Sequence, residues 1–195
     1  MRVVVVLAHP DPNSFNHAIA ATASAALNAA GHEVTVLDLY AEEFRTAMSP
    51  AERLAYHSDR PILDPMAERH ADIVKQAEAF VFVYPTWWST VPAILKGWLE
   101  RVLVPGVGFV FDDDHHVRRG LTQVRRIVGI STYGARWVYV KAMHDNGRRV
   151  LLRALRLNTA IFTRRSWLGL YEMNTCTAEE RAAFLTRVER TMRAL

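Results

Sequence analysis

The sequence predicts an α/β fold, a parallel sheet with helices on both faces. Three observations carry this. Short apolar runs and longer amphipathic stretches alternate five times along the chain. The apolar runs at residues 3–7 and 79–84 are almost unbroken, as in strands covered on both sides. Half of the 195 residues are apolar, enough for one sizeable core. A single domain over residues 1–195 is expected.

The elements follow in order. Residues 2–8 form the first strand. Residues 14–30 are alanine-rich, with Ile19 and Leu27, and stop at Gly31, a residue suited to closing a helix. Residues 33–38 alternate polar and apolar and give a second strand. The stretch 39–61 is polar and irregular, with a short helical turn at 50–57; this one long insertion reads as an interaction element. A helix over 64–77 has Pro65 in its first turn, and a third strand follows at 79–84. Residues 91–102 are an amphipathic helix with Pro92 near its start. Residues 104–116 read as a glycine-containing loop around Phe109-Val110-Phe111. A fourth strand at 124–131 precedes a helix from Trp137 to about Leu157, with a break at Gly147. A fifth strand is expected at 159–168 in spite of Arg164 and Arg165. The last helix, 178–194, is capped by Thr177 with Glu180 at the capping-box spacing.

Composition removes several classes of function. No run approaches the roughly 18 apolar residues of a membrane span, and no leader pattern opens the chain. With a strand beginning at Arg2, no signal peptide, tag or further domain is expected ahead of it, and a cytoplasmic location is expected. The lone cysteine, Cys176, excludes an internal disulfide and a thiolate metal site; it reads as a helix-entry residue. Asp112-Asp113-Asp114-His115-His116 offers ligand types, but adjacent residues rarely converge on one ion, so a solvated loop and no metal are expected. The net charge is +4, with arginines spread over several helices. That reads as a basic surface mildly attractive to anionic nucleotides, without the concentrated stripe of a nucleic-acid reader.

In an open parallel sheet, ligands bind beyond the carboxyl ends of the strands. The segments there are rich in chemistry: His9 to His17 after the first strand, Pro85-Thr86-Trp87-Trp88-Ser89 after the third, and Ser131-Thr132-Tyr133-Gly134 after the fourth, with Tyr139 close behind. Asn13 or Ser14 can cap the following helix and leave the amides of Phe15, Asn16 and His17 for an anion. Two adjacent indoles offer a flat apolar wall for a planar ligand, although at least one is expected to pack on the next helix. There is no G-x-G-x-x-G after the first strand, no G-x-x-x-x-G-K-[ST] and no G-x-S-x-G, which disfavours a Rossmann site, a P-loop and an α/β-hydrolase.

Three blocks, His9-Pro10 with Ser14-Phe15-Asn16, Tyr84-Pro85-x-Trp87-Trp88, and Pro92-Ala93-Ile94-Leu95-Lys96-Gly97-Trp98, resemble the flavodoxin-like NAD(P)H:quinone oxidoreductase family. That family includes DT-diaphorase-like quinone reductases, modulator-of-drug-activity quinone reductases and flavoproteins ancillary to potassium-efflux systems. The resemblance implies a five-stranded parallel sheet of order 2-1-3-4-5, a bound flavin (FAD, with FMN the alternative), NAD(P)H as reductant, a quinone-like acceptor and a homodimer with sites at its interface. It implies that His9, Ser14, Phe15 and Asn16 hold the flavin phosphate and ribityl chain. Pro85, Thr86, Trp87 and Trp88 would border the ring, and Ser131, Thr132, Tyr133 and Gly134 would contact its pyrimidine edge. Tyr139 stands where the family carries a tyrosine hydroxyl near that edge, and a ping-pong hydride transfer follows. The chain departs from the pattern twice: the family's histidine six residues beyond this tyrosine is Asp145, with His144 one position off, and Tyr133 replaces a glycine. The alternative reading is a regulatory flavoprotein docked on a membrane transporter.

Overall fold

In the computed structural model, which describes residues 1–195, the core sheet is made of β1 (Arg2–Leu7), β2 (Glu33–Asp38), β3 (Ala79–Pro85), β6 (Arg126–Thr132) and β7 (Arg164–Leu170). All four pairings are parallel, in the order β2-β1-β3-β6-β7. Counted along the chain, the five strands therefore lie 2-1-3-4-5, as the family resemblance implies. β3 is central and every one of its seven residues is buried, which is why its sequence shows no polar alternation.

Helices cover both faces. α1 (Phe15–Ala29) and α7 (Ala178–Arg193) pack Ile19, Leu27, Phe184 and Val188 on one side. α3 (Pro65–Gln76) and α4 (Ala93–Val102) pack Val74, Leu95 and Trp98 on the other. The end signals act as expected: Pro65 opens α3 behind its cap Asp64, and Thr177 and Glu180 form a reciprocal capping box. A second capping box, Ser49 with Glu52, starts the short α2 (Pro50–Ala55).

The insertion at 39–61 turns its inner face to its own chain. Phe44 is buried, and the Thr46 carbonyl lies 2.3 Å from where a Cβ on Gly97 would stand, so only glycine permits that contact. Arg101, buried on α4, donates to Glu52, to Asp64 and to the Arg45 carbonyl. Burial opposes ionisation of Glu52, but the Ser49 amide and hydroxyl and the Arg101 guanidinium outweigh it and hold the carboxyl at about 2. Nearby, Trp98 Nε1 donates to His70 Nδ1 at 3.0 Å. Since an indole only donates, the His70 proton sits on Nε2, which donates to Glu42 at 3.0 Å.

Three expectations need correction. The stretch 104–116 is not only a loop: β4 (Phe109–Phe111) and β5 (Val117–Arg119) form an antiparallel hairpin outside the main sheet. Asp112 ties its turn, accepting from the His116 amide at 2.8 Å and from Arg118 at 2.7 Å; the charges of 117–119 conceal the second strand. The helix after Trp137 breaks before Gly147. α5 (Trp137–Ala142) ends at a kink where His144 and Asp145 take φ of 65° and 47°, and α6 (Asn146–Arg149) then runs on through a wide and a tight turn to Asn158. Gly147 sits inside α6 because a Cβ there would meet the Tyr84 hydroxyl at 2.9 Å. The fifth strand begins at Arg164, five residues late. Thr163 closes a turn by donating to the Ala160 carbonyl at 2.7 Å and ties it to the Val124 carbonyl at 2.8 Å, and β7, as an edge strand, tolerates Arg164 and Arg165. No helix is long and apolar enough to cross a membrane.

Candidate functional site

β1, β3 and β6 are neighbours, so the loops that follow them meet at one end of the sheet. In the first loop, His9 Nδ1 accepts from the Asp11 amide at 3.1 Å, and Asp11 Oδ1 accepts from Asn13 at 2.9 Å. Burial keeps the His9 imidazole below its usual pKa. Ser14 caps α1, accepting from the His17 amide, and Phe15 packs its ring on Phe184. The Phe15 and Asn16 amides donate to no backbone carbonyl. Asn16 is buried and bridges two loops: Nδ2 donates to Thr132 Oγ1 at 3.1 Å, while its buried Oδ1 has no partner.

The second loop leaves β3 at Pro85. The Thr86 amide donates to the Thr132 carbonyl, and the Thr86 and Ser131 hydroxyls are hydrogen-bonded at 2.8 Å. Trp87 and Thr90 exchange backbone hydrogen bonds across a two-residue turn. Its central residues, Trp88 and Ser89, have φ of 49° and 60°, a conformation normally given to Asn-Gly. The turn throws the indoles outward, with Trp87 41% and Trp88 99% exposed. Trp88 therefore packs on nothing, and α4 brings its own Trp98 to the core. Trp87 instead stands 6.2 Å from the His9 ring.

In the third segment, Ser131 and Thr132 end β6 and are buried, their hydroxyls spent on Thr86 and Asn16. Tyr133 is also buried. It stacks on Tyr171 at 4.7 Å and donates its hydroxyl to Asp145 Oδ1 at 3.0 Å. Burial, then the Asp145 charge, push the phenol well above its ordinary pKa. Burial likewise raises Asp145, against the Tyr133 hydroxyl and the Arg148 amide that favour its ionised form.

Thr86, Ser89, Tyr133, Gly134 and Tyr139 then line one small cavity, with Val140, Met143 and Asp145 at its floor and side. Met143 carries no sequence signal of a site, whereas Asp145 stands at the position of the family's histidine; the kink after α5 delivers both. His144, one residue before Asp145, faces a different and strongly basic cavity. A larger groove of about 520 Å³ beneath the hairpin, lined by His57, Lys75 and Phe111, contains none of the strand-end residues. The chemistry gathers at the strand ends.

The sequence profile of the flavodoxin-like fold matches residues 1–190. The ribosyldihydronicotinamide dehydrogenase (quinone) of Pongo abelii is 32% identical over 177 residues, covering 83% of this chain and 76% of that protein. The chain belongs to the NAD(P)H:quinone oxidoreductase family. It is an oxidoreductase. A second member of the family, the NAD(P)H dehydrogenase (quinone) 1 of Cavia porcellus, is 33% identical over 169 residues, 77% of this chain and 60% of that protein. Among solved structures, Smu.1420 from Streptococcus mutans UA159 superposes with a TM-score of 0.85 at 25% identity, over the full length of both chains.

Proposed function

We propose that this chain is a flavin-dependent NAD(P)H:quinone oxidoreductase that works by a two-step, ping-pong exchange of two electrons. One observation carries the reading: the loops after β1, β3 and β6 meet at one end of the sheet, where the first leaves the Phe15 and Asn16 amides free, the second exposes two indoles, and the second and third enclose a small cavity. The residues present fit a flavin. The Phe15 and Asn16 amides at the positive end of α1 suit a phosphate, and the orphaned Asn16 Oδ1 suits a ribityl hydroxyl. Thr86, Trp87, Trp88 and Gly134 offer a border to a flat ring. We take the flavin to be FAD. When bound, it supplies hydride transfer from nicotinamide to a quinone-like acceptor.

The chain's own residues do the positioning. Ser131 and Thr132 hold Thr86 and Asn16 rather than a ligand. Tyr133 holds Asp145 at the cavity wall. Tyr139, 58% exposed on α5, has its hydroxyl free of any partner and lines the cavity. It is the group placed to donate to charge that gathers at the ring edge. The exposed Trp88, Trp137 and Val138 around this rim fit a cover supplied by a second copy, making the enzyme a cytoplasmic homodimer.

The test is purification followed by heat release and chromatography of the cofactor, which separates FAD from FMN, and menadione reduction with each nicotinamide. A colourless protein that takes up neither added flavin overturns the reading.

A further inference from the structure

The arginines that are scattered in the sequence converge in space. Lys141, His144, Arg148, Arg149, Arg153 and Arg165 line a cavity of about 390 Å³. Its one acid, Asp145, is already engaged by the Tyr133 hydroxyl. With histidine neutral, the lining carries an excess of four positive charges, as large as the net charge of the whole chain. None of the five cations lies within 4.0 Å of a carboxylate, and what sets them apart from other unpaired arginines such as Arg2, Arg60 and Arg190 is that they share one concavity.

Three of the five cations are held in place by other means. Arg165 donates to the Leu152 carbonyl at 3.0 Å, Arg148 lies 5.8 Å above the Trp167 ring, and Arg149 donates to His144 Nδ1 at 3.4 Å. Fixed guanidinium groups without carboxylates, around a concavity, are the arrangement that recognises phosphate. The cavity also adjoins the catalytic one, because Asp145 lines both.

We propose that this basic cavity is a subsite for an oxyanion, a phosphate or sulfonate, carried by a molecule whose reacting ring lies in the neighbouring Tyr139 cavity. The inference rests on the proposed function for the ring and on the arginines alone for the anion. Two sources share this chemistry: the phosphates of a dinucleotide reductant, and an anionic substituent on the acceptor.

The test uses the flavin-loaded enzyme and the exposed double substitution Arg149→Gln/Arg153→Gln. Steady-state rates are measured with NADH, NADPH and the phosphate-free N-ribosyldihydronicotinamide, each against menadione and a sulfonated naphthoquinone. In the variant, KM for the anion-bearing substrate rises about tenfold, the loss of one charge-assisted contact. The turnover number stays within about twofold, and the phosphate-free pair is unchanged. A rise confined to NADH and NADPH names the reductant as the source; one confined to the sulfonated quinone names the acceptor. Calorimetry with inorganic pyrophosphate gives a readout independent of turnover: binding to the wild type and its loss in the variant support the subsite even if quinone reduction fails. Unchanged KM in every pair, or a change that only follows altered oligomeric state in light scattering, overturns it.

Discussion

Two charged regions of this molecule are built in opposite ways. Under the insertion, Arg101 is buried and its donors reach Glu52, Asp64 and a backbone carbonyl. At the strand ends, Asn16 Oδ1 is buried without a partner, two helix amides are unspent, Trp88 and Ser89 are held in a left-handed turn, and five neighbouring cations lack carboxylates. Satisfied polar groups in the first region mark architecture. Unsatisfied ones and local strain in the second mark a place that waits for a ligand.

That contrast predicts where substitutions separate stability from activity. Arg101→Ala removes the buried cation that Glu52 and Asp64 share and leaves them only the half-exposed Arg45, and is expected to cost about 3 kcal/mol in urea unfolding. Activity per folded molecule should be unchanged; a selective loss of activity would break the division drawn here.

The same cluster sets an acid response. The folded Glu52 carboxyl titrates at about 2 against an ordinary 4.5. A depressed carboxyl stabilises above its unfolded pKa, and the stabilisation fades as pH falls toward the folded value. Thermal melts should therefore lose about 3 kcal/mol attributable to this group between pH 5 and pH 2. Glu52→Gln should flatten that slope, at the cost of lower stability at neutral pH.

At the strand ends the expected effects move to function. Tyr133→Phe removes the hydroxyl that holds Asp145 and should cost about 1–2 kcal/mol, with flavin still bound. Tyr139→Phe touches no packed contact and should stay within about 0.5 kcal/mol of wild type. Its quinone turnover should fall while flavin content holds, and unchanged turnover removes Tyr139 from the mechanism. Trp88→Gly is expected to reverse the sign of the stability change. Relief of a left-handed non-glycine residue should be neutral or stabilising by up to about 1 kcal/mol, while KM for aromatic acceptors rises.

How much of this was legible depended on distance along the chain. β1 and β3 show because their residues are apolar in unbroken runs, β2 shows by its alternation, and the gathering of the three loops shows because a parallel sheet puts the ends of neighbouring strands together. The hairpin did not show, because Val117-Arg118-Arg119 carries too little apolar pattern to read as a strand. Asn16 meeting Thr132, Tyr133 meeting Asp145 and Arg165 joining Arg148 are tertiary events. No local spacing encodes them, and the left-handed backbone at His144 and Asp145 that makes two of them possible is one those residue types tolerate but do not dictate.

The contact between the Thr46 carbonyl and Gly97 bears on how the chain can be recombined. Segments about fifty positions apart were fitted to each other as a matched pair, one bare Cα receiving one carbonyl. A chimera with a family member that places its crossover between them inherits half of that fit. Exchanging residues 39–61 and α4 together as one block should preserve it, so the practical unit of inheritance here is a pair of segments that the sequence keeps apart.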